Sequence, residues 1–324
     1  MQIALVGAGY WGKNILRNLK ELGFLWKVYE SLPQRVEELK VQYPDVYFAT
    51  SIREILDDPE IKGVCIATPA VTHYSLVKDF LLAGKDVFVE KPLALNTHEA
   101  EELVNLAEKQ NRILMVGHIL RYHPAVIKLK SLIDDGELGE IYYIYSNRLN
   151  IGKLRTEENI LWSFAPHDIS VILYIVGQEP VEITAYGGAY IQREIFDVTL
   201  THLVFQNNIK AHIFVSWLHP FKEQKLVVVG SKNMAVFDDM AEEKLTLYPH
   251  KIRWVNGIIP VAEKAERVVV DVEKKEPLKE ELKHFVECIK ERKTPFTDGR
   301  EGLSVLKVLE KAQESLNRRS QNGR

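Results

Sequence analysis

Residues 3–12 read IALVGAGYWG, and the eleven residues after them, KNILRNLKELG, close on Gly23. Four apolar residues (Ile3, Ala4, Leu5, Val6) run into Gly7, Gly9 and Gly12 at a G-x-G-x-x-G spacing. Ile15, Leu16, Leu19 and Leu22 then recur at helical intervals. Strand, glycine turn and helix together make this spacing a dinucleotide fingerprint. Gly7 suits the tight turn, Gly9 the close approach of a pyrophosphate, and Gly12 the packing of helix on strand. Tyr10 and Trp11 complete the loop, and the free N–H groups of the first helical turn are expected to face the phosphates.

The alternation of strand and helix continues beyond Gly23. Residues 24–29 (FLWKVY) read as a strand ending at Glu30, 18 residues past Gly12. A carboxylate there accepts hydrogen bonds from ribose hydroxyls and repels a 2′-phosphate, which favours NAD over NADP; Arg35 softens that preference. Helices are predicted over 34–42, 51–56 (capped by Ser51), 72–83 and 97–110, with strands at 46–49, 61–67, 86–90 and 112–117. The result is a doubly wound parallel sheet of the Rossmann type. Its ligands should lie beyond the carboxyl ends of the strands, where Thr68, Lys91 and His118 fall.

From about Gly139 the rhythm changes. A long strand at 140–150 and a helix at 166–176 precede strands at 181–190, 197–205, 209–217, 225–230, 234–238, 244–248, 252–255 and 267–272. Helices at 277–290 and 300–318 follow, and the last half-dozen residues read as a disordered tail. The fold class is α/β: a Rossmann domain over 1–120, then an α+β domain with an open, mostly antiparallel sheet over 121–298. Residues 299–324 form a C-terminal helix expected to pack back near the first domain. The free face of the second sheet suits a contact between copies of the chain.

The composition is ordinary for a globular protein: 324 residues, 46% apolar, 27% charged, net charge −3. That charge gives no reason to expect nucleic acid or an anionic membrane as partner. Cys65 and Cys288 stand far apart in apolar surroundings, as buried free thiols of a reducing compartment would. The opening strand leaves no room for a signal peptide, and no apolar run approaches the roughly 20 residues of a membrane helix. The sequence therefore reads as a cytoplasmic protein. Its ten histidines show no metal-ligand spacing, and no nucleophile elbow appears.

Two clusters carry the chemistry. Glu90-Lys91-Pro92 ends a buried strand at the cofactor edge, where partial desolvation and the charge of an oxidised nicotinamide favour the neutral amine of Lys91. Pro92 removes a backbone donor and can take a cis bond. His167-Asp168 lies at the start of the predicted 166–176 helix, with Pro166 in its first turn; the histidine can pass a proton or polarise a carbonyl. His202 and His212 are better explained by packing on a sheet face. Arg148, Asn150, Lys153, Arg155 and Trp162 gather between the long strand and that helix, a set suited to a sugar ring carrying phosphates.

Taken together, GAGYWG at 7–12, ATPAVTH at 67–73, EKPLA at 90–94, GHILRYHPA at 117–125, GELGEI at 136–141 and HD at 167–168 resemble the Gfo/Idh/MocA oxidoreductase family. PLKEELKHFVECI and TPFTDGREGLSVLKVLEKAQES resemble its closing helices, so the likeness spans nearly the whole chain. It implies dehydrogenation of sugars, cyclitols or sugar nucleotides by a homodimer or homotetramer. It also makes Lys91 the lysine of the E-K-P motif and His167 the histidine of the second motif, with Thr68, Pro69, His73 and Glu90 lining the cofactor. Many members carry an aspartate four residues before that histidine; Ser163 stands there instead, and the motif ends in Ser170, which weighs against a cyclitol substrate. The segment SNRLNIGKLRTEENILWSFAPHDIS is more similar to members acting at C3 of UDP-linked amino sugars or their uronic acids. Two alternatives stand beside this: a glycosidase- or lyase-type relative that recycles NAD without net redox, and a non-catalytic NAD-binding sensor.

Overall fold

A computed structural model describes residues 1–152 and 154–322. The chain divides into two compact units, the first made of Met1–Tyr122 and Lys275–Leu306, the second beginning at His123 and resuming at Lys307.

In the first unit strands and helices alternate as β1 (Gln2–Val6), α1 (Gly12–Glu21), β2 (Leu25–Tyr29), α2 (Pro33–Gln42), β3 (Tyr47–Phe48), α3 (Arg53–Leu56), β4 (Ile61–Ile66), α4 (His73–Leu82), β5 (Asp86–Glu90), α5 (Thr97–Lys109) and β6 (Leu114–Gly117). The strands form one parallel sheet in the order β3-β2-β1-β4-β5-β6. The order reverses between β1 and β4, so the first two crossovers run to one side and the rest to the other, which opens a crevice at the carboxyl ends of the two central strands. Helix α3 begins two residues later than expected; Ser51 still accepts a bond from Glu54 N at 3.4 Å.

The core of this unit has a component that local spacing did not place. Helix α8 (Pro277–Glu291) was expected in the second domain, yet Leu278, Leu282, Phe285 and Ile289 pack with Ile3, Leu5, Cys65 and Phe88. Phe88 and Phe285 meet with ring centroids 5.9 Å apart. A Cβ at Gly63 would lie 2.7 Å from Ile289 and 2.9 Å from Ile3, so β4 carries glycine where this helix presses on the sheet. The closing helix is likewise divided: residues to Leu306 belong to the first unit and those from Lys307 to the second.

The second unit opens with a helix that the sequence reading did not assign, α6 (Pro124–Asp134). Pro124 occupies its first turn, and His123 Nδ1 accepts from Ala125 N at 3.1 Å. Then come β7 (Ile141–Leu149), α7 (Ile160–Val176), β8 (Glu182–Gly188), β9 (Val198–Val204), β10 (Lys210–Ser216), β11 (Glu223–Gly230), β12 (Met234–Asp238), β13 (Leu245–Tyr248), β14 (Lys251–Val255), β15 (Ile259–Glu263) and β16 (Val268–Val269). Eight of these strands form a sheet in the order β16-β13-β12-β11-β7-β10-β9-β8, antiparallel except for the β7–β10 pair. The unpredicted β15 pairs with β14 as a separate hairpin. Ile144, Ser146 and Arg148 of β7 are buried on the α7 side. The alternate residues Tyr143 and Tyr145 stack in a row with His212, itself opposite His202. Helix α9 (Gly299–Asn322) runs past the expected end at 318, so the tail is helical to Asn322; residues 323–324 lie outside the described residues.

No helix among the described residues is long and apolar enough to cross a membrane, and both cysteines are buried and unbridged.

Candidate active site

The glycine loop has the shape its spacing implied. Gly7 has φ +90°, and a Cβ there would lie 2.7 Å from the carbonyl oxygen of Ala67 at the end of the adjoining β4 segment. A Cβ on Gly12 would come within 2.1 Å of Gly7 O, so the helix start and the turn touch backbone to backbone. Gly9 differs: its Cβ would meet only the tip of Arg35, at 3.4 Å. The space above Gly9 is what a pyrophosphate needs, and α1 has neither a side-chain cap nor an acidic residue in its first turn to compete for its N–H groups. Tyr10 is exposed beside it. These residues fit a dinucleotide.

Glu30 stands at the end of β2, where the ribose contact was expected. Its carboxylate also holds the loop, accepting from Ala8 N and Leu32 N at 3.0 Å each and lying 3.5 Å from Arg35. Burial works to raise this carboxyl, but the two N–H donors and Arg35 outweigh it and keep it below the ordinary carboxylate range.

At the ends of β4 and β5 a second group converges. His73 is buried, with Nδ1 2.7 Å from Pro92 O and Nε2 2.9 Å from Thr68 O, so one ring ties the two strand ends. Burial pushes its pKa down while the two carbonyl oxygens pull the other way. Thr68 bonds Thr72 at 2.6 Å, and Pro69 is exposed. The Lys91–Pro92 peptide is cis, and Lys91 is partly buried. Glu90, beside it, accepts from the Trp11 indole at 2.5 Å, a bond from the glycine loop to the end of β5. Burial pushes the Glu90 carboxyl up to about 7, against the opposing effects of the Trp11 bond, Lys91 and His118. His118 is buried, its Nδ1 2.5 Å from Glu301 of α9, which also lies 3.4 Å from Arg121.

In the second unit the structure corrects the expectation for His167. Helix α7 starts at Ile160, not Pro166; Asn159 caps it, accepting from Leu161 N and Trp162 N. Pro166 is therefore inside the helix, and His167 lies mid-helix rather than at its N-terminus. His167 is partly buried, while its neighbour Asp168 is buried and takes a bidentate contact from Arg148 at 2.7 and 3.2 Å, with Ser146 Oγ at 2.5 Å. Arg148, expected to hold a phosphate or carboxylate of substrate, is instead committed to this buried pair. Its guanidinium faces α7 because β7 alternates and places residues 144, 146 and 148 on that side. Trp162 donates to Gln313 at 3.1 Å. Arg155 lies 3.4 Å from Glu157 and 3.3 Å from Glu158. Asn150 is partly buried at the end of β7, and Lys153 lies outside the described residues. No group of three His, Cys, Asp or Glu among the described residues could hold a metal ion.

Three contributors escaped the sequence reading: the Trp11–Glu90 bond, Glu301, and Glu281 of α8, whose carboxyl is fully buried. A signal for Glu281 did exist. Leu278, Glu281, Leu282 and Phe285 share one helix face, so the acid interrupts an apolar stripe.

Fold and loop together define a dinucleotide-binding protein. Residues 1–118 match the model for the oxidoreductase family with an NAD-binding Rossmann fold, and residues 126–236 match the GFO/IDH/MocA C-terminal domain. The chain belongs to the Gfo/Idh/MocA family and is an NAD-binding oxidoreductase. It is 26% identical over 307 residues to UDP-N-acetylglucosamine 3-dehydrogenase of Acidithiobacillus ferrooxidans, covering 94% of each chain. A solved structure of that enzyme superposes with a TM-score of 0.86 at 24% identity, covering 98% of this chain and 97% of that one. Myo-inositol 2-dehydrogenase of Thermotoga maritima is 24% identical over 331 residues, 98% of this chain and 96% of that protein.

Proposed function

We propose that the protein is an NAD-dependent dehydrogenase acting on a carbinol carbon of a sugar or sugar nucleotide, with C3 of a UDP-linked amino sugar as the favoured target. The observation that carries this reading is the position of Lys91. It follows β5 at the carboxyl edge of the sheet, joined through Glu90 and Trp11 to the glycine loop. The 26% identity to an enzyme named for UDP-N-acetylglucosamine supports the choice of sugar.

When bound, the nicotinamide supplies the acceptor for the hydride. Lys91, as the amine, removes the hydroxyl proton while the hydride leaves the same carbinol carbon, and His167 shares that proton through a hydrogen bond to the oxygen. Asp168 and Arg148, buried behind His167, fix the helix that carries it. A cyclitol is the second reading, supported by the similarity to myo-inositol 2-dehydrogenase. Against it stands Ser163, a buried hydroxyl where many members place a carboxylate.

The test is turnover with NAD across a panel of UDP-sugars, free sugars and inositols. Reduced nicotinamide should accumulate with a UDP-amino sugar. Lys91→Met should lower kcat by about 10²–10⁴-fold with NAD affinity nearly unchanged. Normal turnover in that variant ends the acid–base assignment. Consumption of a glycoside without accumulating reduced cofactor would favour the NAD-recycling chemistry instead.

A further inference from the structure

One group of acids in the first unit has no role in the chemistry so far. Glu281 of α8 is fully buried, and neither of its carboxyl oxygens has a hydrogen-bond partner among the described residues. Burial, with the charges of Glu90 and Glu301 added to it, keeps this carboxyl well above the ordinary carboxylate range. A buried acid in that setting remains protonated. Glu301 is different, because His118 and Arg121 face it. Glu90 lies between these cases. The Trp11 indole and the Lys91 backbone N–H donate to it, the charges of Lys91 and of His118 after β6 act on it, and its own charge acts on Cys65 of β4 and Glu281 of α8. The Glu90 carboxyl fills the space above Gly117, where a Cβ would stand 3.0 Å from it, so the glycine at the end of β6 leaves room for the acid.

We propose that Glu90 is the residue that keeps the proton set free by the oxidation, so that it is a carboxylate with the oxidised cofactor and a carboxylic acid with the reduced one, over a floor held neutral by Glu281. This rests on the reading of Lys91 as the base. In the balanced step the C–H bond breaks and its electron pair leaves as hydride for C4 of the nicotinamide. The O–H bond breaks, its proton passes to the Lys91 amine and from there to the Glu90 carboxylate, and a carbonyl remains. The physical reason is charge. A carboxylate at the cofactor edge is favoured while the ring is positive and disfavoured once the ring is neutral. Burial leaves Glu90 close to the point where that change decides its state.

The experiment compares the dissociation constants of NAD and NADH between about pH 6 and about pH 8, within the range where such a carboxyl titrates. In the wild type NADH should gain on NAD as pH falls, by up to about tenfold per pH unit, the limit for one linked proton. In weak buffer with a pH indicator, exchange of NAD for NADH should draw a proton from solution. Glu90→Gln should flatten the dependence, whereas Glu281→Gln, which replaces a neutral acid by a neutral amide, should keep it. A wild-type ratio independent of pH overturns the proposal, as does a dependence that survives in Glu90→Gln or disappears in Glu281→Gln. Lys91→Met separates this from the base assignment. Loss of turnover with the dependence retained supports both. Loss of the dependence makes Lys91 the titrating group and ends the proposal. Normal turnover with the dependence retained ends only the base assignment and supports the linkage to Glu90.

Discussion

Gly9 and Gly12 stand three residues apart in one loop and answer to different constraints. At Gly12 the missing Cβ would collide with Gly7 O at 2.1 Å, backbone that cannot yield. Gly12→Ala is therefore expected to destabilise the unit by about 1–3 kcal/mol or more, read by chemical denaturation. At Gly9 the Cβ would reach only the flexible tip of Arg35 at 3.4 Å. Gly9→Ala should keep the melting temperature of the free protein and weaken NAD binding by at least about tenfold, because the methyl occupies the phosphate's place. Equal losses of stability in the two variants would contradict this division. Residues whose placement depends on short spacing were legible from the chain alone: the three glycines in their turn, Glu30 at the end of its strand, and Lys91 before its proline. The Trp11–Glu90 bond joins positions 79 apart and was not, since neither residue's neighbours carry any sign of the other.

At the level of elements, β7 and α7 are joined through one buried ion pair. Arg148 and Asp168 lie almost wholly out of water, with Ser146 completing the carboxylate's partners. Removing one member leaves the other charged and unanswered, which typically costs about 3–5 kcal/mol. Arg148→Met should show a loss of that size in urea unfolding, with turnover falling because the helix carrying His167 is no longer fixed. A variant of unchanged stability would show the pair to be incidental. Pro166 has the local look of a first-turn proline, which puts the expected start of α7 six residues too late. The effective start signal, Asn159, stands seven residues earlier behind a polar loop, and the helix carries the proline on its buried side. The parallel β7–β10 pair and the packing of α8 against Phe88 depend on tertiary contact and leave no periodicity to find. Helix α6, by contrast, has a start signal within short range, His123 as cap and Pro124 in its first turn.

Across the whole molecule, stability and pH are linked with two opposite signs. Glu90 and Glu281 sit above their unfolded values, so the folded chain holds protons that the unfolded chain has released. Their contribution is most favourable on the acid side and is lost as pH rises from the ordinary carboxylate value of 4.5 through about 7 for Glu90. Glu30 sits below its unfolded value, so what it contributes is present above the ordinary carboxylate range and lost as pH falls through its lowered value. Glu281→Gln should therefore raise the melting temperature more at about pH 8 than at about pH 5, by the equivalent of up to about 4 kcal/mol, the limit for one linked proton. An equal effect at both values would mean that Glu281 is ionised in the folded protein.

The return of α8 to the first unit also sets a timetable for synthesis. The ribosome delivers the N-terminal strands first, but the helix that covers Ile3, Leu5, Cys65 and Phe88 is not complete until Glu291. At about 5–20 residues per second, the nascent sheet waits roughly ten to thirty seconds with that face bare, a substrate for any chaperone that binds apolar surface. A fragment ending at Tyr122 should accordingly bind a hydrophobic dye strongly, and a peptide spanning 275–306 supplied in trans should quench that binding. A fragment that already excludes the dye would show that the sheet closes without its late helix.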